Sequence, residues 1–148
     1  MGEYGSQIKG QGVFALVFSQ SHHEQIEAMK KNWEERIKRK ELEEQKAKAE
    51  ALKKAAEISL FLKEKYGADK IILFGSLAWR TKFSSHSDID LCVVGFPEKV
   101  SYWEALAEAE KMAAPFPLNL VLKENINPRL AAKIEKEGVI LNGNKQTY

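Results

Sequence analysis

The sequence predicts an α/β (α+β) domain: a small mixed sheet of about four strands packed with helices and preceded by a long helical extension. Three observations lead there. From Glu24 to Tyr66 the chain contains neither Pro nor Gly and carries helical periodicity. After Gly67 the pattern changes to short apolar runs that alternate with helical segments. Two of those runs are broken by Gly75-Ser76 and by Asp88-Ile89-Asp90, residue types that strands do not favour.

The first 12 residues are rich in Gly and polar side chains and are expected to lack fixed structure. Val13–Phe18 fits a strand, a loose hydrophobic clasp or a segment ordered by a partner, and the residues do not decide among these. From His22 or Glu24 the pattern is helical, with Ile26, Met29, Trp33 and Ile37 forming an apolar stripe. Two uses of the stripe remain open, docking against the chain's own domain or pairing with a second chain. His22 and His23 are adjacent, point apart, and are read as surface residues.

Glu34–Glu50 is almost wholly charged. Glu34/Lys38, Glu35/Arg39, Glu44/Lys48 and Glu50/Lys54 place an acid four residues before a base, each pair contributing roughly 0.2–0.5 kcal/mol. This segment is expected to be solvated helix. Leu52, Ala55, Ala56, Ile58, Ser59 and Leu62 restore an amphipathic face, and Tyr66-Gly67 supplies the stop.

Strands are expected at 70–74, 89–94, 118–122 and 139–141, with helices at 102–113 and 128–137. Pro97 closes the second strand, and Pro115 and Pro117 bracket the start of the third. Asn127-Pro128 is a helix start, with Asn as N-cap and Pro at the first helical position. The expected organisation is a flexible segment 1–21, a charged helical extension 22–46 and a domain 47–148.

A chain of 148 residues, 44% hydrophobic and 30% charged, is long enough for one core and too apolar for disorder. Its 23 basic and 21 acidic residues interleave, so charge gives no direct nucleic-acid signal. The single cysteine, Cys92, excludes an internal disulfide and lies in an apolar run, which points to a buried thiol and a cytoplasmic setting. Val13–Phe18 is too short to span a bilayer, so no membrane role is expected.

Side chains alternate along a strand, so Asp88 and Asp90 share one face while Ile89, Leu91 and Val93 pack on the other. Two carboxylates at a strand start suit a hard divalent cation such as Mg2+, which is commonly completed by substrate phosphates. A helix beginning after Gly75 would present N–H groups and a positive dipole end to an anion, with the Ser76 hydroxyl as a further donor. Together the two elements read as a nucleoside-triphosphate and metal site.

The pattern Gly75-Ser76-x-Ala78, a loop, then Ser87-Asp88-x-Asp90-Leu91 resembles the nucleotidyltransferase domain of the DNA polymerase beta superfamily. More narrowly it resembles the minimal nucleotidyltransferases (MNT) encoded beside HEPN-domain partners, over about Ala47 to Leu141. The resemblance implies that Asp88 and Asp90 bind Mg2+, and that Gly75 and Ser76 clamp the phosphates of an NTP, with ATP the expected nucleotide. Nucleoside monophosphate would pass to a hydroxyl of a protein or small molecule. It also implies a HEPN toxin as a possible partner and an antitoxin role.

Two positions depart from the family pattern. The third carboxylate, expected on the neighbouring strand, corresponds to Asn119, which can lend an oxygen but carries no charge and is no base. Glu124 is the alternative acid, but its odd spacing from Asn119 puts it on the other face unless a bulge intervenes. Arg80 replaces a family Gly, so either the loop bends differently or Arg80 contacts phosphate, with Lys82 and His86 nearby. Trp79 is read as packing a short helix, with base stacking the alternative. Ser87 is read as ordering the loop before Asp88. The competing reading of the whole is a degenerate nucleotide-binding or partner-binding subunit, with the N-terminal helix as a homodimer or heteromer surface.

Overall fold

The computed structural model describes residues 2–79 and 82–141, with side chains from residue 21 onward. Helix α1 spans Gly2–Tyr66. Sequence reading expects 1–12 to lack fixed structure and the helix to start at His22 or Glu24; the helix instead begins at Gly2. The glycines there each cost only about 1 kcal/mol against Ala, and no proline interrupts the run. The chain divides into two compact units, Met1–Glu41 and Leu42–Tyr148.

In the second unit α1 is followed by β1 (Lys70–Phe74), β2 (Ile89–Val94), α2 (Tyr102–Ala113), β3 (Leu118–Leu122), α3 (Pro128–Glu137) and β4 (Val139–Leu141). The strands form one mixed sheet in the order β3-β2-β1-β4. β1 runs antiparallel to β2 and β4, whereas β2 and β3 are parallel. A parallel pair needs a crossover, and α2 supplies it.

Helix ends follow local chemistry. Gly67, at φ +76°, takes the left-handed position after α1, and its N–H bonds to Lys63 O at 3.1 Å. Ser101 Oγ caps α2 by accepting from the Glu104 N–H at 3.3 Å, completing a Ser-x-x-Glu start. Asn127 caps α3, accepting from the Leu130 N–H at 2.8 Å, with Pro128 in the first turn as its sequence implies.

Alternation along the strands divides the sheet into two faces. One is covered by α1 through Ala47, Ala51, Ala55, Ile58 and Leu62 and by α2 through Ala105, Ala109 and Ala113, over Ile71, Leu73, Ile89, Leu91 and Val93. Alanines on both helices let their backbones approach the sheet closely. Ala47 is already in this core, so the burial of α1 begins inside the charged stretch that sequence assigns to solvent. The opposite face is covered by α3, with Ile134 and Leu130 against Ile72, Phe74 and Cys92. That second layer leaves the start of β2 uncovered, and Asp90 sits there half-buried.

Hydrogen bonds tie the helices to the sheet. Buried Ser59 Oγ and the Lys63 ammonium both donate to Leu141 O, at 3.3 and 2.9 Å, which holds β4 to α1. Lys54 donates to Ala114 O at 2.6 Å, joining α1 to the end of α2, and also meets Glu50 at 3.9 Å. Tyr102 Oη donates to Leu120 O at 2.5 Å, capping a carbonyl of the edge strand β3. Among the described residues no helix is long and apolar enough to cross a membrane.

Candidate functional site

β1 ends at Phe74, and the chain turns at once through Gly75, whose φ is +76°. Residues Gly75–Leu77 form a single 3-10 turn in which the Ala78 and Trp79 N–H groups both donate to Gly75 O, at 3.1 and 2.9 Å. The helix expected after Gly75 is thus one turn long. Its aligned peptide dipoles are few, so any anion held there is met mainly by individual N–H groups and by Ser76.

The register places Phe74 opposite Asp90, which brings the start of β2 beside this turn. A Cβ built on Gly75 would lie 2.0 Å from Asp90 Oδ2. Glycine is therefore required twice, for its positive φ and for the carboxylate that crosses its α-carbon. On the other side Asp90 pairs with Asn119 across the parallel β2/β3 ladder, and the two side chains share a face.

Three influences act on the Asp90 carboxyl. Burial pushes its pKa up, the side-chain hydrogen bond from Asn119 pulls it down, and the negative charge of Asp88 pushes it up. The net direction is upward. Asp88 itself is exposed, two residues before Asp90. The carboxylates are thus close enough to repel, a strain that a bound cation would relieve.

The loop before Asp88 is ordered by serines. Ser87 Oγ accepts from the Ser84 N–H at 3.0 Å, and the Ser87 N–H donates to Ser84 O at 3.1 Å. The His86 N–H donates to Ser84 Oγ at 3.2 Å. Phe83, which sequence reading passes over, is buried against Phe116 with ring centroids 5.7 Å apart and pins the loop to the core. Its signal was an aromatic residue isolated among polar loop residues. Ile89 N–H donates to Pro117 O at 2.8 Å, locking the beginnings of β2 and β3 together.

Trp79 packs against Phe74 at 6.2 Å between ring centroids, and its Nε1–H donates to Glu137 O at 3.2 Å. The Lys133 ammonium lies 4.2 Å from its ring centroid. In this structure Trp79 is a packing residue that joins the turn after Gly75 to α3. Glu124 falls in the 3-10 turn Lys123–Asn125 beyond the end of β3, whereas Asn119 is near its start. The strand separates them by roughly 15 Å at the usual rise per residue, so Glu124 is no third acid for Asp88 and Asp90. Arg80 lies outside the described residues.

The donors Asp88, Asp90 and Asn119 are all oxygen, which fits a hard divalent cation. Among the described residues no three His, Cys, Asp or Glu side chains group to form a metal site. Two carboxylates without a third match the way Mg2+ is held when substrate phosphates complete its shell.

The family profile described as polymerase beta, nucleotidyltransferase matches residues 56–147, more than half of the chain. The chain belongs to the polymerase beta nucleotidyltransferase family. Gly75, Asp88, Asp90 and Asn119 all fall inside the matched span of this nucleotidyltransferase. Among solved structures it is similar to one assigned as a minimal nucleotidyltransferase, at 26% identity and a TM-score of 0.48, covering 57% of this chain and 86% of that one. It is also similar to the MntA-HepT toxin-antitoxin, at 21% identity and a TM-score of 0.45, covering 62% of this chain and 71% of that one. A toxin-antitoxin structure with AMP-PNP gives 23% identity and a TM-score of 0.49, covering 62% and 75% of the two chains. No curated protein matches the nucleotidyltransferase at a significant level.

Proposed function

We propose that this chain is a Mg2+-dependent nucleotidyltransferase that binds an NTP, with ATP the first to test, and transfers its nucleoside monophosphate to a hydroxyl. The observation that carries the reading is the convergence at Gly75: the 3-10 turn Gly75–Leu77 and the Asp90 carboxylate meet at one α-carbon, with Asp88 close by. Gly75 and Ser76 would face the phosphates. Asp88 and Asp90 would hold Mg2+, and Asn119 would orient Asp90 through its amide. When bound, the cation would neutralise triphosphate charge and polarise the α-phosphorus.

The reaction forms a bond from the acceptor hydroxyl oxygen to the α-phosphorus and breaks the bond to the β-phosphate bridging oxygen, releasing pyrophosphate. The acceptor proton passes to solvent, since Asn119 is no base. Ser87 orders the loop that presents Asp88. Arg80 is proposed as a further phosphate contact. The domain responsible is 47–148, preceded by the segments 1–21 and 22–46, and the reading places the protein in the cytoplasm.

The acceptor is proposed to be a separately encoded protein, with a HEPN toxin as the candidate named by the family resemblance. A second reading is favoured by one observation, the amide of Asn119 in register with Asp90 where the family has a third carboxylate. On that reading the chain binds nucleotide and partner without turnover.

Calorimetric titration with a non-hydrolysable ATP analogue, with and without Mg2+, tests the site. Metal-dependent binding lost in Asp88→Ala and Asp90→Ala supports it, and no binding of any NTP analogue removes it. Transfer of label from α-labelled ATP to a co-expressed HEPN protein then separates the enzyme from the binding subunit.

A further inference from the structure

We infer that residues 26–38 of α1 are a self-association surface that pairs antiparallel with the same segment of a second copy of this chain. The inference uses only residues of the first unit and does not depend on how the candidate nucleotide site is read. Every residue from 21 to 41 is exposed, including Met29 and Trp33 at 69% and 67%, and Ile26 and Ile37 at 38% and 41%. A helix with a turn every 3.6 residues places these four within an arc of about 80°. Ile26, Met29, Lys30, Trp33 and Glu34 line a shallow apolar groove on that side. A helix in water is held mainly by burying its apolar stripe, and among the described side chains of its unit, residues 21–41, none is buried.

Charge selects the occupant. On one side of the stripe run Lys30 and Glu34, with the Lys30 ammonium 4.0 Å from Glu27 of its own helix. In an antiparallel pair this flank meets the same flank of the second copy. With Ile26 over Ile37 of the second copy and Met29 over Trp33 of the second copy, each layer occurring twice, Lys30 faces Glu34 of the second copy. Both Lys30–Glu34 contacts join opposite charges. A parallel pair would set this flank against Gln25, Asn32 and Arg36, which contain no acid, and would leave Lys30 without an acidic partner.

Sedimentation equilibrium of the full chain, without nucleotide, is the test. The wild-type chain is expected to be a dimer, and Trp33→Ala a monomer with reduced helical circular dichroism, the stripe having lost its cover. Lys30→Glu and Glu34→Lys, each alone, turn two attractive contacts repulsive and are expected to weaken association about tenfold. An equimolar mixture of K30E and E34K restores the attraction at both contacts and is expected to associate as tightly as wild type. A monomer at ~100 μM, a range that detects even weak pairing, would overturn the inference. So would a dimer indifferent to Trp33→Ala, or a mixture that fails to restore association. Trp33 fluorescence shielded from quencher in a monomer would instead assign the stripe to docking on its own chain, and would equally reject the second copy.

Discussion

Gly75 and Asp90 are packed so closely that a side-chain carbon at Gly75 would lie 2.0 Å from Asp90 Oδ2 and 2.9 Å from its Cγ. Gly75→Ala therefore combines a strained positive φ with overpacking and is expected to cost about 2–4 kcal/mol, read by urea unfolding. In an Asp90→Ala background the nearest remaining contact is the Cβ at 3.2 Å. There the same substitution is expected to cost only about 1–2 kcal/mol, the strain at φ. Additive losses in the double-mutant cycle would refute the contact.

The raised pKa of Asp90 gives stability a pH dependence with a defined sign. Burial is the largest cause, Asn119 opposes it, and Asp88 reinforces it. Because the folded pKa lies above the unfolded one, this contribution is fully present below the unfolded pKa and is lost as pH rises through the folded value. Asp90→Asn removes the ionisable group. It is expected to raise Tm at pH 7 and to leave it little changed at pH 3, in metal-free buffer. Mg2+ should compete with the proton, so its binding strengthens as pH rises through the same window.

Asn119→Asp puts a third carboxylate beside Asp90 in the β2/β3 register. Like charges at that spacing should lower metal-free stability by about 1 kcal/mol or more. Added Mg2+ should reverse the loss, and transfer from α-labelled ATP should rise about tenfold or more. A destabilised variant without a gain in transfer would favour the binding-subunit reading.

Trp79 connects the turn after Gly75 to the last turn of α3 through its bond to Glu137 O. Trp79→Phe keeps most of the packing and is expected to cost about 1 kcal/mol, the worth of the lost hydrogen bond. Trp79→Ala also removes the contact with Phe74 and the Lys133 ammonium, with an expected cost of about 3 kcal/mol. If the latch holds the Gly75–Leu77 turn in the place proposed for phosphate binding, both variants weaken ATP-analogue binding in calorimetry, in the same order.

Much of the fold was legible because its signals are local. Ile71–Phe74 and Ile89–Val94 read as strands by apolar content, and Asn127-Pro128 marked the start of α3 by its own capping chemistry. Asp88 and Asp90 declared themselves because two acids at a strand start contradict strand preference. The N-terminal segment was less legible, since scattered glycines weaken helical periodicity without forbidding a helix. Phe83 and the Trp79 latch were hidden for another reason: each has meaning only through a partner, Phe116 or Glu137, distant in the chain.

By itself, the sequence determined the bounds of the four strands, α2 and α3 and the order of the candidate site residues, because both follow from side-chain period, capping and turn residues within a few positions. The tertiary structure alone decided what stands beside what. The β3-β2-β1-β4 order and its register set Asp90 between Gly75 and Asn119 and put Glu124 at the far end of β3. A slip of one residue in either ladder would turn every one of those side chains to the other face. Which slip is forbidden depends on burying Ile89, Leu91 and Val93 under α1 and α2, a constraint that no local stretch of the chain contains.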